Sequence, residues 1–250
     1  MRKFGLIGYP LGHSFSRKYF SEKFEREGIA DSVYQNFPIE DISMLPDLIK
    51  KEKDLLGLNV TIPYKTLVIS YLDDVHPSAR EIGSVNVIRI KRTNLKTLLS
   101  GYNSDVKGIT DSIIPVMSSG IRNALILGSG GSSKAVRYSL EKLGLNVTIV
   151  SRESGKNKIS YSELTPELMG SADLIVNTTP LGMFPGTESS PPLNYELLES
   201  RHILFDLVYN PEITAFLKKG QERGCRIITG LGMLYSQAER SWEIWNDPSL

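Results

Sequence analysis

The stretch Asn123-Ala124-Leu125-Ile126-Leu127-Gly128-Ser129-Gly130-Gly131-Ser132-Ser133-Lys134-Ala135 decides the fold of this 250-residue chain. Its apolar run predicts a strand buried on both faces, and the glycines predict a tight turn. Residues 133–143 carry a helical pattern that Gly144 closes. A dinucleotide-binding turn needs one glycine for the bend and a second so that backbone can approach a pyrophosphate. It also needs a small residue where helix and strand touch. Gly128, Gly130, Gly131 and Ala135 meet those demands, although the spacing departs from plain G-x-G-x-x-G. A nucleoside-triphosphate loop is a near miss. Ser133 stands where its glycine belongs, and Ala135 removes the hydroxyl that would ligate magnesium.

Downstream, a strand over 147–150 leads into Ser151-Arg152-Glu153, with Lys156 close behind. An acidic residue there would hold the ribose hydroxyls of NAD, whereas an arginine suits the 2′-phosphate of NADP. Arg152 therefore favours NADP, with Glu153 opposing it locally. Further strands are expected at 174–177, 203–207 and 226–229, with helical segments near 161–169 and 212–223. Such alternation implies a parallel sheet covered by helices on both faces. An amphipathic helix is expected over 233–245, where Tyr235, Trp242 and Trp245 read as packing residues.

Upstream, the pattern is α/β but less regular. Strands are expected at 4–8, 33–39 and 55–61, and a hairpin pairs 84–90 with 98–99. Ser14 or Ser16 is a candidate cap for a helix over 18–27, and Asp41 starts another. The expected architecture is two α/β domains. Residues 1–104 plus 233–250 form a substrate domain with a mixed, mainly parallel sheet. Residues 105–232 form a Rossmann-type dinucleotide-binding domain, and the C-terminal helix returns to the first.

Composition narrows the partner. Basic minus acidic residues give 29 − 28 = +1, which argues against a bulk electrostatic grip on nucleic acid or on an anionic membrane. One cysteine, Cys225, cannot form an internal disulfide and fits a reducing compartment. His13, His76 and His202 lack paired ligand spacing, so no metal is expected. No run approaches the roughly 18 apolar residues of a membrane span, and 4–7 is too short for a secretory leader. These features predict a soluble cytoplasmic protein, monomer or homodimer, with a small-molecule partner.

Four polar loops follow expected strands: Gly12-His13-Ser14-Phe15-Ser16, Asn59-Val60-Thr61-Ile62-Pro63-Tyr64-Lys65, Gly83-Ser84-Val85-Asn86 and Gly101-Tyr102-Asn103-Ser104-Asp105. In open α/β sheets, ligands gather beyond the carboxyl ends of strands. Each loop taken singly is more often structural, a source of helix caps and turns. Together they supply hydroxyls, amides, one amine and one carboxylate, a set suited to a small polyhydroxylated acid.

These loops resemble the shikimate dehydrogenase family. So do the glycine turn, Asn177-Thr178-Thr179-Pro180-Leu181-Gly182-Met183, Asp206-Leu207-Val208-Tyr209-Asn210-Pro211 and Gly230-Leu231-Gly232-Met233-Leu234-Tyr235-Ser236-Gln237-Ala238. The resemblance runs essentially end to end and implies reversible NADPH-dependent reduction of 3-dehydroshikimate to shikimate in aromatic amino-acid biosynthesis. It implies that Lys65 and Asp105 do the acid–base work and that Ser14 and Ser16 bind the substrate carboxylate. Asn59, Thr61, Asn86 and Gln237 would hold ring hydroxyls, with Tyr209 near the substrate. NADP would lie on Gly128, Ser129, Gly130, Gly131, Ser132, Ser151, Arg152, Thr178 and Gly230, with Met233 near the nicotinamide. Two departures stand out: the family usually has Asn-Arg-Thr at Ser151-Arg152-Glu153, and threonine at Ser104. An NAD-using quinate/shikimate dehydrogenase would share almost every motif. A cofactor-binding sensor without turnover would need the glycine turn but not Lys65, Asp105 and Gln237 together.

Overall fold

The computed structural model describes residues 1–11, 15–117 and 120–249. Chain contacts divide it into two compact units, Met1–Ser104 with Ala238–Leu250, and Asp105–Gln237.

The strands of the first unit are β1 (Arg2–Gly8), β2 (Ser32–Pro38), β3 (Leu55–Val60), β4 (Asp74–Val75), β5 (Val87–Arg92) and β6 (Thr97–Tyr102). They lie in the order β2-β1-β3-β5-β6-β4. β1 pairs in parallel with β2 and β3, whereas β5 runs antiparallel to β3 and β6. The sheet is mixed, as the hairpin in the sequence implies. Thr93 closes that hairpin by accepting the N–H of Leu95 and Lys96. The unit's helices are α1 (Phe15–Arg26), α2 (Leu45–Lys51) and α3 (Pro77–Ile82).

Side chains of a strand alternate between faces, and β1 separates two cores accordingly. Ile7 joins Leu45, Leu55, Leu58, Val68 and Ile88 on one face. Phe4 and Leu6 join Phe20, Phe24, Tyr34 and Trp245 on the other. Phe4 and Phe20 are fully buried, each contributing about 2 kcal/mol of transfer free energy. Trp245 lies where Gly57 has no side chain. A Cβ there would stand 2.3 Å from the indole nitrogen, which donates to the Ile88 carbonyl at 3.0 Å.

The second unit contains β7 (Asn123–Leu127), β8 (Asn146–Ser151), β9 (Ile159–Ser160), β10 (Leu174–Asn177), β11 (Ile203–Asp206) and β12 (Arg226–Ile228). All its pairings are parallel, in the order β12-β11-β10-β7-β8-β9. Read from β9, this is the doubly wound order whose switch point falls between the first and fourth strands, β7 and β10. β10 and β11 are buried along their whole length, as parallel strands covered on both faces must be. The remaining helices are α4 (Asp105–Ile113), α5 (Gly131–Lys142), α6 (Pro166–Ser171), α7 (Ala215–Glu222) and α8 (Gly230–Asn246). Among the described residues no helix is long and apolar enough to cross a membrane.

Several boundaries differ from the sequence expectations. α1 begins at Phe15, so Ser16 sits inside its first turn rather than capping it, and Ser14 lies outside the described residues. α5 starts at Gly131, two residues early, because Gly130 already serves as its N-cap. α8 starts at Gly230 rather than residue 233, and the division between units falls inside it, after Gln237. The two-residue strands β4 and β9 are too short to carry a periodic signal. α3 is not among the expected helices, although Pro77 marks its first turn.

Candidate active site

In the first unit, the candidate residues sit beyond the carboxyl ends of β1 and β3 and beside the start of β5. Asn59, next to last in β3, is almost fully buried, and each of its side-chain polar groups has a partner. Its Oδ1 accepts from Tyr34 Oη at 2.8 Å, and its Nδ2 donates to Ser241 Oγ at 2.9 Å and to the Asn86 carbonyl at 3.4 Å. Asn86 is clamped similarly: its Nδ2 donates to Ser104 Oγ at 3.0 Å, and the Ser104 N–H donates to its Oδ1 at 2.7 Å. Ser104 Oγ and Ser241 Oγ lie 3.1 Å apart and close the network. Ser16 lies half-buried in the first turn of α1, and burial raises the pKa of the Tyr34 phenol.

Two periodicities make this convergence possible. Along β3, Gly57 and Asn59 share a face about 6.6 Å apart. Along α8, Ser241 and Trp245 are about 6 Å apart, one turn. The helix therefore matches Ser241 to Asn59 and Trp245 to Gly57 at once.

Thr61 and Lys65 occupy the turn that follows β3. That turn is tied down at several points. The buried Tyr64 donates its hydroxyl to the Ile39 carbonyl at 2.7 Å. The Lys65 carbonyl accepts from Val85 N–H at 2.7 Å, and Tyr64 N–H returns to the Thr61 carbonyl at 2.9 Å. Lys65 itself is half-buried.

In the second unit, the candidate cofactor residues follow successive strands of the sheet. Gly128 leaves β7 with φ +111°, a region costly for side chains. A Cβ there would also stand 2.7 Å from Thr178 Oγ1. Thr178, just past β10, donates its hydroxyl to the Leu127 carbonyl at 2.7 Å, which holds the two loops together at the switch point. Gly130 brings no side-chain acceptor to the first-turn N–H groups of α5, and a Cβ there would meet nothing within 4 Å. Ala135 is fully buried where α5 meets the sheet. These features fit a pyrophosphate at a helix N-terminus.

Ser151, at the end of β8, turns its hydroxyl onto the Glu153 carbonyl at 2.6 Å, and Arg152 stands exposed beside it. Glu163 accepts from Ser154 and from both the N–H and hydroxyl of Ser160, which holds its pKa down at about 2. Gly230 begins α8 against the Leu207 and Val208 carbonyls, each 2.7 Å from a Cβ built there. Met233 is buried on α8, and Gln237 is half-buried one turn further along. Asp105 is buried at the start of α4. Tyr209 is half-buried after β11, and burial raises its pKa.

Asp206, at the end of β11, organises the loops around it. Oδ1 accepts from Asn177 Nδ2 at 3.0 Å and Val208 N–H at 2.9 Å, and Oδ2 accepts from Thr214 Oγ1 at 2.6 Å. Burial pushes its pKa up to about 6, against the lowering effect of those three donors. Among the described residues no group of three or more His, Cys, Asp or Glu side chains is placed to hold a metal.

A family model described as shikimate dehydrogenase substrate binding domain matches residues 6–88. The NADP(+) shikimate dehydrogenase of Methanococcus aeolicus is 36% identical over 96% of this chain and 90% of its own length. The chain belongs to the shikimate dehydrogenase family. The crystal structure of shikimate dehydrogenase 1 from Peptoclostridium difficile is 38% identical, with TM-score 0.84 over 99% of this chain and 92% of that one. Shikimate 5-dehydrogenase from Thermus thermophilus, solved in complex with NADP(H) and shikimate, is 29% identical. Its TM-score is 0.84, over 100% of this chain and 96% of that one.

Within this family's fold, sequence reasoning missed Tyr34, Ser241 and Asp206 as polar organisers. Tyr34 looks like one more aromatic in a β-pattern, since nothing local marks its hydroxyl as buried and bonded. Ser241 carried a usable signal: it lies four residues past Gln237, on the same helical face. Asp206 stands within a family motif, but nothing around it in sequence marks the role its carboxylate takes.

Proposed function

We propose that the protein catalyses the reversible NADPH-dependent reduction of 3-dehydroshikimate to shikimate, a step in aromatic amino-acid biosynthesis. The observation that carries this reading is the coexistence, in one chain of this family, of two features. One is a satisfied amide–hydroxyl network beside a half-buried lysine. The other is a doubly wound sheet with a glycine turn at its switch point.

In this reading residues 1–104 with the end of α8 bind the substrate, and the second unit binds the dinucleotide. Gly128 to Ser132 and Thr178 would hold its phosphates, Ser151 and Arg152 its 2′-phosphate, and Gly230 and Met233 its nicotinamide end. When bound, NADPH supplies the hydride. Ser16 donates to the substrate carboxylate, and Ser14 is assigned there by resemblance alone. Asn59, Thr61, Asn86 and Gln237 serve the ring hydroxyls, with Tyr209 nearby. Reduction of a ketone leaves an alkoxide that must gain a proton. Lys65 donates that proton from Nζ and takes it back in the oxidation direction, and Asp105 shares the acid–base work. The bonds that anchor Tyr64 and the Lys65 backbone fix the stem from which the amine reaches.

The expected setting is cytoplasmic, in keeping with the buried free thiol of Cys225. The expected partners are small molecules, with the chain acting as monomer or homodimer.

The test is oxidation of shikimate followed at the nicotinamide absorbance, with NADP+ and NAD+ in turn and with quinate as competing acid. Turnover of shikimate with NADP+ well above the other three combinations supports the proposal. Preference for quinate with NAD+ identifies the sister activity instead, and tight NADP binding without any turnover identifies a sensor.

A further inference from the structure

Asn103 precedes Ser104 of the amide–hydroxyl network, yet its side chain bonds elsewhere. Its Nδ2 donates to the Ser84 carbonyl at 2.9 Å, while its Oδ1 is buried without a hydrogen-bond partner. A buried acceptor left unpaired is costly. Asn103 is therefore a poor device for stability alone, and its one side-chain bond calls for a purpose.

That purpose lies in the peptide group joining Ser84 to Val85. A peptide is planar, so its carbonyl and its N–H point opposite ways and turn together. The Ser84 carbonyl receives the Asn103 amide, and the Val85 N–H donates to the Lys65 carbonyl at 2.7 Å. One rigid plane thus connects the Asn103 side chain to the backbone of Lys65. Hydrogen bonds in such a row also polarise and strengthen one another.

The chain on either side of this plane is already held. Gly83 ends α3 with φ +66°, and the Ser84 N–H returns to the Ala79 carbonyl at 3.3 Å. Beyond it, the Asn86 N–H donates to the Tyr102 carbonyl at 3.0 Å, and Ser104 clamps the Asn86 side chain. Those ties fix the two ends of the peptide but not the tilt of the plane between them. Rotation of that plane would swing the Val85 N–H away from the Lys65 carbonyl, and the Asn103 amide opposes it. Asn59 and Asn86 keep their own side-chain partners whatever the plane does.

We propose that Asn103 is a positioning residue for Lys65, acting through the Ser84–Val85 peptide to set the backbone from which the amine reaches the reacting oxygen. The inference rests on the proposed reaction and assigns the placement of its proton donor to a side chain outside the amide–hydroxyl network. In this scheme Asn103 takes no part in holding the ring.

The experiment measures shikimate oxidation with NADP+ in wild type, Asn103→Ala, Asn103→Leu, Lys65→Ala and the double variant of Lys65→Ala with Asn103→Leu. Leucine fills the volume of the amide and removes the unpaired oxygen, so it gives a folded protein even where alanine loosens the loop. Both Asn103 variants should show kcat lowered about tenfold, as for a reacting group out of place. KM for shikimate and KM for NADP+ stay near wild type. In the Lys65→Ala background the second change should lower kcat no further, because the amine that Asn103 places is already gone. A tie of general structural use would instead raise both KM values or cut kcat equally in both backgrounds, and either result overturns the inference. A wild type that fails to oxidise shikimate overturns the proposed reaction and this inference with it. Wild-type kcat in Lys65→Ala removes the role of Lys65, and the inference falls with that role. Oxidation by wild type, impaired in Lys65→Ala but unaltered in Asn103→Leu, overturns the inference alone.

Discussion

The two units solve one problem in opposite ways. Each must satisfy polar side chains buried just beyond its strand ends. The first uses Tyr34, Asn59, Asn86, Ser104 and Ser241, a set of amides and hydroxyls without a charge. The second gathers Asn177, Thr214 and Val208 N–H around the carboxylate of Asp206, and among the described residues no cation pairs with it. The neutral network has nothing to titrate near pH 7. The carboxylate network has a group whose pKa burial has moved into the range where enzymes work. In the proposed reaction, proton chemistry therefore falls to Lys65, outside the neutral network, whereas the loops around Asp206 carry their own response to pH.

The strongest way to break this comparison is to remove Lys65. If the surrounding amides and hydroxyls only bind, Lys65→Ala keeps a recognisable substrate site and loses the proton donor. The expected outcome is a kcat lower by on the order of 100-fold or more with a nearly unchanged KM for shikimate, as for lost acid–base catalysis. Steady-state rates on purified protein check it. An unaltered kcat would mean that proton transfer runs through another group, and the division between a binding network and a chemical lysine would collapse.

Arg152 sharpens the contrast at smaller scale. In the first unit, Asn59 and Asn86 are buried and held by partners, whereas Arg152 stands exposed past β8. Arginine suits phosphate through bidentate, charge-assisted contacts. Arg152→Ala should raise KM for NADPH about tenfold, a typical effect of one lost charged hydrogen bond, while use of NADH changes little. Equal losses with both cofactors would show that Arg152 supports the loop rather than the 2′-phosphate.

The difference between the units also explains how legible each was in the sequence. The second unit announced itself, because uninterrupted apolar strands, glycine turns and a regular strand–helix rhythm are local signals. The residues around 128–135, 151–152 and 177–183 therefore took up the expected strand-end positions. The first unit's mixed sheet was legible through its hairpin, but its site is assembled from distant segments. Tyr34 and Asn59 meet across 25 positions of chain, and Asn59 and Ser241 across 182. No local pattern encodes such a meeting. The fit of Trp245 over Gly57 that aligns α8 is equally non-local. The start of α5 was misjudged because Gly130, acting as a glycine cap, competes with helical periodicity.

The smallest expected effect tests the pH contrast directly. Asp206 has a folded pKa of about 6 against 3.8 for the free side chain. The folded state therefore binds its proton more tightly than the unfolded state does. For an acid shifted upward, the stabilising contribution is complete below the unfolded value and is lost as pH rises through the folded one. Between pH 5 and pH 7 this single group should cost the wild type about 1 kcal/mol of stability. Glu163, held down at about 2, loses its contribution only at more acid pH and leaves this window clear. Asparagine at 206 keeps an oxygen for Asn177 and Val208 and turns a donor to Thr214, so Asp206→Asn retains the loop connections without the charge. Denaturant unfolding at several pH values between 5 and 7 should give a stability that falls less steeply for Asp206→Asn than for wild type. Parallel slopes in the two proteins would assign the pH response elsewhere and make the cofactor-side network as indifferent to protons as its neutral counterpart.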